Sequence, residues 1–466
     1  MAERALALTR RRFMGRLGLL AGTGALLPLL AACTRGTPNA PDPSTVDGTP
    51  TADIEPTMPL PFPALLVPPD TTLRLLTVSG SSAAADESFR ALAREWAGAN
   101  GLQIAFETAS ATAIEARLAA PDGLVGLDIV QCRDNLAHLH AERFADLSAE
   151  AEALAASLGG FYDAPAMQAQ VAGVWRALPF NLIPSAIAYR TDLLKEAGVA
   201  AFPATIAELQ TVGAALKAKG HPFGAPAGRS VDDPRALWYA VLWAFGGRTV
   251  EADGTTIAIN SPETLTALGW ARDFWAAACL PEGLSWDDNS NNLAYVNGQI
   301  AATQNGPALY LGLRERQGDL AALTALAPFP VGPGGRGVPV TTHAHAIPAG
   351  ATNEAIARAF LHWLGAREQT ERYLTAAGGA VVAPLRGLAA SPVWAADPKL
   401  RAFLDAAETG RPFGWPAAPS RAATAADANF VVVDMFAGVV AGGVPQAAIA
   451  TAENALRNLA ALGAGA

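Results

Sequence analysis

Cysteine is scarce in this sequence. Among its 466 residues only Cys33, Cys132 and Cys279 are cysteines, and none stands in a Cys-x-x-Cys pair. This spacing excludes a cysteine-based zinc site and a paired redox motif. Cys132 and Cys279 could form a disulfide in an oxidising compartment. We instead expect them in different halves of the fold, as two buried free thiols.

Basic residues are outnumbered, and lysine is rare. The chain has 33 Lys and Arg, only four of them Lys, against 42 Asp and Glu, for a net charge of −9. Residues 1–32 carry five Arg and one Glu, so the chain beyond them has a charge of −9 − 4 = −13. This acidity argues against nucleic acid as a partner, because phosphate binding requires basic patches.

A long apolar run is also missing. Leu17–Ala32 has only 16 residues and contains Gly and Pro, too few to span a bilayer comfortably. It follows Thr9–Met14, which fits the twin-arginine export pattern, and ends in Leu30–Cys33, which resembles a lipobox. We therefore predict that residues 1–32 are a twin-arginine-type lipoprotein signal peptide and that Cys33 is lipidated. The alternative is an ordinary cleavage site beside a chance cysteine.

Residues 33–71 lack apolar periodicity and are rich in Pro, Thr, Ser and Gly. Such a composition predicts a flexible, partly polyproline tether. Lipid chains at its start would hold a globular body to a membrane while the body stays in water. The 466 − 71 = 395 residues that remain are enough for two good-sized domains.

Signatures of nucleotide and metal sites are lacking as well. The chain has no G-x-x-x-x-G-K-[ST] run, so an ATPase would have to be a separate chain. Gly332–Gly337 fits G-x-G-x-x-G, but Pro333 interrupts it and Val338–Val340 follows instead of a helix, so we interpret it as a loop. His343 and His345 share one face of a predicted strand, without a third ligand nearby. We predict no cofactor and no metal.

The sequence does contain an alternation of strand and helix patterns. Leu73–Val78, Gln103–Thr108 and Leu127–Val130 are typical of strands, and the helix after the first has apolar residues at helical spacing from Phe89 to Trp96. Strands separated by helices predict an α/β fold with parallel-rich sheets and helices on both faces.

Polar residues follow two of these strands. They are Ser79, Ser81 and Ser82 after the first strand, and Arg133, Asp134 and Asn135 after the third. Ligands of open α/β sheets bind at the carboxyl ends of strands, so these side chains are candidates for ligand binding, Ser81 and Asn135 among them. The alternative is ordinary helix capping.

The densest polar and aromatic stretch is Trp286–Tyr310. It gathers amides, carboxylates and rings in a chain otherwise rich in Ala and Leu. Carboxylates and amides bind hydroxyl groups, and an aromatic face covers the C–H side of a sugar ring. The alternative is a polar loop that caps a helix. The candidates for binding a polyhydroxylated ligand are Trp286, Asp287, Asn292 and Asn305, with Trp415 on a later Gly-Trp-Pro loop.

Three further runs carry a resemblance to a known family. Tyr189–Gly198 fits Tyr-Arg-x-Asp-Leu-Leu-x-x-Ala-Gly, Pro203–Glu208 fits Pro-x-Thr-x-x-Glu, and Asn297–Gly306 fits x-Gly-x-x-Ala-x-x-x-Asn-Gly. In the second run, Thr205 is expected to cap a helix and Glu208 to close a capping box. In this order the runs resemble the bacterial extracellular solute-binding proteins of the sugar-binding family (family 1).

The resemblance implies a two-lobed, periplasmic-binding-protein-like fold (type II) with three interlobe crossings. Lobe 1 would comprise residues 72–178 and 329–378, and lobe 2 residues 179–328 and 379–466. The resemblance also places Asn181 at the mouth of the cleft after the first crossing. It makes His343, at the return to lobe 1, a further residue that would contact the ligand.

For function, the resemblance implies a monomeric carrier that is not an enzyme. It would close on a small solute, in our expectation a neutral sugar, and deliver it to the membrane subunits of an ABC importer. A competing class is a lipid-anchored hydrolase, which would need two carboxylates facing each other, such as Asp134 and Asp287. No nucleophile elbow or triad order supports that class. The other competing class is a protein-binding envelope scaffold.

Overall fold

The computed structural model describes residues 65–78, 82–230 and 232–464. The predicted signal peptide, Cys33, nearly all of the tether and the candidate Ser81 lie outside these residues. The described strands are β1 (Thr72–Val78), β2 (Gln103–Ala109), β3 (Ile129–Arg133), β4 (Gln170–Val171), β5 (Val174–Trp175), β6 (Leu178–Ile183), β7 (Ala186–Arg190), β8 (Phe223–Gly224), β9 (Ala302–Asn305), β10 (Thr324–Ala327), β11 (Val338–Pro339), β12 (Thr341–Ala346) and β13 (Gly410–Arg411).

The described α-helices are α1 (Ala83–Ala99), α2 (Ala111–Ala119), α3 (Leu136–Leu139), α4 (Ser148–Leu158), α5 (Asp163–Ala169), α6 (Thr191–Glu196), α7 (Ile206–Ala218), α8 (Asp233–Ala244), α9 (Pro262–Ala278), α10 (Ser290–Val296), α11 (Pro307–Arg316), α12 (Gly318–Leu323), α13 (Glu354–Gly365), α14 (Arg367–Ala377), α15 (Pro392–Ala396), α16 (Arg401–Glu408), α17 (Arg421–Ala428), α18 (Val431–Val440) and α19 (Pro445–Ala464). Short 3₁₀ turns lie at Ala141–Arg143, Pro281–Ser285, Arg386–Leu388 and Pro398–Leu400.

The first sheet has the strand order β2-β1-β3-β12-β6. β1 is parallel to β2 and β3, and β12 is antiparallel to β3 and β6. Helix α1 packs Phe89, Leu92 and Trp96 into the core beside this sheet, as the helical spacing predicted. We call the first sheet and the helices packed on it lobe 1.

The second sheet has the order β10-β7-β9-β8. Helix α8 is buried along its whole length, with Trp238 and Trp243 among the largest buried side chains, because α9 and α18 cover it. Helix α7 begins with the predicted capping box of Thr205 and Glu208, which is confirmed. We call the second sheet and its helices lobe 2.

The chain passes between the two sheets at defined points. β6 pairs with β12 as far as Ile183, so the first passage lies at Pro184–Ser185, a few residues beyond the boundary expected after Leu178. A second passage joins β10 to β12, and a third follows α14. Both large sheets are mixed rather than parallel-rich. β6 and β12 adjoin these passages instead of belonging to βαβ units, and they run antiparallel to their neighbours.

Cys132 on β3 and Cys279 after α9 are both buried and free, which confirms the prediction of two separate thiols. Burial raises the pKa of the Cys132 thiol to about 12 and also raises the pKa of Cys279. Among the described helices, none alone has the length and apolar character of a membrane span. Only the pair α17 and α18, bent by 41° at its break, passes that test of length and composition.

Candidate functional site

A cleft of about 580 Å³ opens between the lobes. Lobe 1 contributes Val78, Arg133 and Thr341 to its lining, and lobe 2 contributes Asp233, Asn292 and Asn305. Val78, Arg133 and Asn305 are the last residues of β1, β3 and β9. The cleft therefore lies at the carboxyl ends of strands of both sheets, where open α/β sheets bind ligands.

The lobe 2 wall of the cleft carries a hydrogen-bonded group of one carboxylate and two amides. Asn305 is 4% exposed, and its Nδ2 donates to Asp233 Oδ2 at 2.7 Å and to Asn292 Oδ1 at 2.6 Å. Asn291, fully buried behind them, donates to the same Oδ2 atom at 2.8 Å. Asn292 and Asn305, both sequence-based candidates, thus meet at the cleft from α10 and β9.

Burial raises the pKa of Asp233 well above the usual carboxyl range. The carboxylates of Asp288 and Asp232 raise this pKa further, while hydrogen bonds from Asn291 and the Gly306 N–H act against the rise. Asp288 Oδ1 accepts the backbone N–H groups of Asp232 at 3.1 Å and Asp233 at 2.9 Å, so it caps the start of α8. Ser230 donates its hydroxyl hydrogen to the other oxygen of Asp288.

An ion pair crosses the cleft. The Arg133 guanidinium on β3 lies 2.7 Å from Asp232 Oδ1 in lobe 2, and within lobe 1 it contacts Asp134 Oδ2 at 3.2 Å. It also donates to Thr341 Oγ1 at 3.2 Å. Arg133 is mostly buried, whereas the Asp232 side chain is 54% exposed. This pair connects the two lobes directly at the cleft.

A second, more deeply buried pair joins Arg235 of α8 to Asp427 of α17. The guanidinium also lies 5.0 Å from the centre of the Phe413 ring. Burial raises the pKa of Asp427 to about 7, helped by Asp134 and opposed by Arg235. Arg235 and Phe413 both line the cleft, so these contacts hold two of its lining side chains in place.

His343 lines the cleft from β12 and is 4% exposed. Its Nδ1 lies 3.1 Å from Asn181 Oδ1, and Asn181 Nδ2 donates to Tyr373 Oη at 2.9 Å. Burial, with Arg133 nearby, lowers the pKa of His343 to about 3, so the ring is neutral at physiological pH. Asn181 itself borders a separate small cavity of about 20 Å³, which shares Val78 and His343 with the cleft lining.

Several predicted ligand residues lie elsewhere. The ring of Trp286 packs beside Gly224, and Trp415 lies under the Arg411 guanidinium at 3.6 Å. Asp287 accepts from Ser290 N at 2.9 Å and Asn289 N at 3.1 Å, so it forms the turn before α10. None of these three side chains lines the cleft, and each makes contacts that stabilise the surrounding structure.

Asn135 and Asp134 also have structural partners. Asn135 is 1% exposed and donates to Thr424 Oγ1 at 3.0 Å and Phe413 O at 3.3 Å, which ties the loop after β3 to lobe 2. Asp134 accepts from Thr342 N at 3.0 Å. Neither Asp134 nor Asp287 lines the cleft, where a hydrolytic pair would have to face the substrate. Of the serines, Ser82 lines the cleft and caps α1, while Ser79 and Ser81 lie outside the described residues.

Sequence reasoning missed the acidic start of α8. Asp232, Asp233 and Asp288 all line the cleft, but carboxylates beside Pro234 resemble ordinary helix capping. The only available signal was the Asp232-Asp233-Pro234 run at the start of a helix that is apolar beyond Arg235. In the described ranges, no three His, Cys, Asp or Glu side chains come together as a metal site would require.

The sequence profile of a family described as bacterial extracellular solute-binding protein matches residues 79–371. A probable ABC transporter-binding protein of Deinococcus radiodurans is 25% identical over 250 residues, which cover 50% of this chain. The alignment spans only 57% of that relative's length.

Solved structures share the fold at low identity. The sugar-binding protein MalE of Xanthomonas citri has a TM-score of 0.71 at 18% identity, covering 84% of this chain and 98% of its own. The GacH receptor of Streptomyces glaucescens, solved with acarbose, has a TM-score of 0.67 at 19% identity, covering 84% and 99%. A solute-binding protein of Agrobacterium radiobacter, solved with ribitol, has a TM-score of 0.67 at 22% identity, covering 84% and 100%. The predicted two-lobed α/β fold is thereby confirmed.

Proposed function

The chain belongs to the bacterial extracellular solute-binding protein family, and from this premise we propose that it captures a small neutral carbohydrate or polyol in the cleft and delivers it to an ABC permease. The curated relative is a probable ABC transporter-binding protein, and the structural neighbours include a sugar-binding protein and a solute-binding protein solved with ribitol. Membership of this family implies export from the cytoplasm.

The observation that carries the proposal is the amide and carboxylate group at the cleft wall. Asn292 and Asn305 present adjacent side-chain amides, and Asp232 presents a half-exposed carboxylate opposite Arg133. Each hydroxyl group of a sugar can donate one hydrogen bond and accept others, so it can satisfy such mixed partners. A few placed polar groups in a concave site are what small-molecule recognition requires.

Capture by hinge closure follows from the position of the cleft. A ligand that touches Arg133 in lobe 1 and Asn305 in lobe 2 binds the closed arrangement better than an open one. Its binding raises the closed population, and the closed shape would then dock on the permease. The domain bounds expected from the sequence belong to this proposal, with the first crossing placed at Pro184–Ser185, where β6 ends its pairing with β12.

Anchoring is the second part of the proposal. Residues 1–32 would direct twin-arginine export, lipidated Cys33 would hold the protein to a membrane, and residues 33–71 would act as a tether for a monomeric body. The order of twin arginines, short apolar run and lipobox supports this arrangement.

A thermal-shift screen tests the function. The chain from residue 34 onward would be heated with maltose, laminaribiose, α-D-tagatose and ribitol, and with amino acids and sugar phosphates. A ligand at one hundred times its Kd adds about 2.7 kcal/mol to the free energy of unfolding, a shift of a few degrees. We expect a saturable shift with a neutral sugar or polyol and its loss in Asn305→Leu. A broad panel without any shift would favour the scaffold class instead.

A further inference from the structure

Asp233 occupies a special place in the cleft wall. It is the first residue of α8 and only 5% exposed, yet it belongs to the cleft lining. One of its oxygens, Oδ2, accepts hydrogen bonds from the amides of Asn291 and Asn305 at 2.8 and 2.7 Å. Because this oxygen accepts from both side chains, each amide has its NH₂ group turned toward Asp233.

These hydrogen bonds fix the orientation of the Asn305 side-chain amide. A side-chain amide has two N–H donors, and Asn305 uses one on Asp233 Oδ2 and the other on Asn292 Oδ1. With both donors used, the amide can offer a ligand only its carbonyl oxygen. Asn305 is therefore an acceptor in the cleft and cannot reverse this role while Asp233 holds it.

Asn292 has the opposite role and offers a ligand a hydrogen-bond donor. Its Oδ1 atom accepts from Asn305, and its Nδ2 atom donates to the backbone oxygen of Asp288 at 2.9 Å. One N–H of Asn292 remains for a ligand. Because the two amides are in direct contact, the wall presents one acceptor and one donor side by side.

We propose that Asp233 is a positioning residue that sets the ligand specificity of the cleft, by locking Asn305 as an acceptor next to the donor Asn292. This inference rests on the proposed function and narrows it to ligands with two neighbouring hydroxyl groups. One hydroxyl donates to the Asn305 oxygen, and its neighbour accepts from the remaining Asn292 N–H. Three separate elements, α8, α10 and β9, supply the parts, so their packing holds the pair in register.

The locking can be measured without any ligand. In the exported protein labelled with ¹⁵N-asparagine, the side-chain NH₂ signals of Asn305 are assigned by their loss in Asn305→Ser, and their hydrogen exchange with solvent is followed by NMR. We expect Asp233→Leu, which has the same shape but no acceptor, to speed this exchange at least about tenfold. Asp233→Asn keeps an oxygen acceptor and should restore slow exchange. Unchanged exchange in Asp233→Leu would overturn the proposal.

The specificity is measured by calorimetry with maltose and ribitol, each compared with an analogue lacking one hydroxyl group. Whichever of maltose and ribitol binds the wild-type protein more tightly should bind about tenfold more tightly than its own analogue without the hydroxyl group. Asp233→Leu should lose this discrimination, and Asp233→Asn should regain it. The matched control is Asp405→Leu, the same change at an exposed position of α16, which should keep the wild-type discrimination.

The outcomes separate the two proposals. If neither ligand binds the wild-type protein, the proposed function fails for these ligands, while amide exchange still decides the role of Asp233. If ligands bind and Asp233→Leu keeps full discrimination, the specificity role is refuted. Should Asp233→Leu not fold, Asp233→Ser is used, since its side chain is too short to hold both amides.

Discussion

His345 is a neutral histidine inside lobe 1. It is 2% exposed, its ring centre lies 5.2 Å from that of Phe89 and 4.7 Å from that of Phe180, and its Nε2 lies 3.4 Å from Gln131 Nε2. Burial, with His343 beside it, lowers the pKa of His345 to about 3. The unfolded chain protonates near the ordinary value of about 6.5. Stability from this site is therefore complete above pH 6.5 and is lost as pH falls toward 3.

We predict that His345→Gln removes this acid sensitivity. The stability advantage of the wild-type protein over the variant should shrink by about 1 kcal/mol between pH 6.5 and 5.5, and by little above pH 6.5. Urea unfolding at pH 7.5, 6.5 and 5.5 measures the difference. The variant has to be compared with the wild-type protein because Asp427, whose pKa is raised to about 7, makes the free energy of unfolding fall as pH rises over the same range. This contribution is common to both proteins and cancels in the difference.

The control for this measurement is Phe89→Leu. It removes part of the same ring contact but no titrating group, so its cost should not vary with pH. Parallel stability curves for the wild-type protein and His345→Gln would show that the buried imidazole is not the source of the acid sensitivity.

At the scale of individual residues, the sequence predicted which amide and histidine side chains line the cleft better than it predicted which aromatic side chains do. Asn292, Asn305 and His343 line the cleft. Trp286 and Trp415 do not line it. The Trp286 ring packs beside Gly224, and the Trp415 ring packs against the Arg411 guanidinium. Ring partners depend on tertiary contacts, which spacing along the chain does not reveal. The ligand roles of the predicted residues remain predictions.

At the scale of elements, the start of α7 shows how local sequence determines structure. Thr205 Oγ1 accepts from Glu208 N at 3.2 Å, and Glu208 Oε2 accepts from Thr205 N at 3.0 Å. We predict that Thr205→Ala lowers the free energy of unfolding by about 1 kcal/mol, because N–H groups of the first turn lose their acceptor. Urea unfolding monitored by circular dichroism checks this value.

Thr266→Ala is the matched control for the cap. Thr266 is exposed in the interior of α9 and donates its hydroxyl to Pro262 O at 2.8 Å, so it caps nothing. Its replacement should change stability little, since alanine favours the helix and offsets the lost bond. Equal costs at both positions would contradict the capping explanation.

Features that depend on neighbouring residues were therefore predictable from the sequence. The direction of a strand that pairs with distant segments was not. The apolar face of α1 and the capping box of α7 depend on residues within a few positions of each other. The antiparallel pairing of β12 with β3 and β6 joins segments that are far apart in sequence. Nothing in the local pattern of β12 indicates its direction in the sheet, so a parallel-rich sheet was expected.

At the scale of the whole molecule, the match of residues 79–371 to the family profile confirms the family that the sequence motifs indicated. This prediction depended on the order of many weak motifs along the chain rather than on any single side chain. What the sequence did not reveal is how the lobes touch. Arg133 and Asp232 meet across the cleft, while Arg229 and Asp434 form a similar pair inside lobe 2.

The Arg133–Asp232 pair, at 2.7 Å, holds the lobes together without a ligand, so Asp232→Asn should shift the ligand-free protein toward an open arrangement. Because the aspartate is 54% exposed, the effect is modest, about 0.5–1 kcal/mol, a change of about two- to fivefold in the closed-to-open ratio. Spin labels at Ala91→Cys in α1 and Ala207→Cys in α7 report the interlobe distance by pulsed electron resonance; Cys132 and Cys279 are buried.

Asp434→Asn breaks an ion pair of similar geometry within one lobe, so it should leave the distance distribution unchanged. Raising the salt concentration should move the wild-type distribution toward that of Asp232→Asn, since an exposed pair is screened. If Asp232→Asn and Asp434→Asn give the same distribution, the pair across the cleft does not bias closure. In that case the ligand alone, through contacts with both walls, has to supply the free energy that closes the lobes.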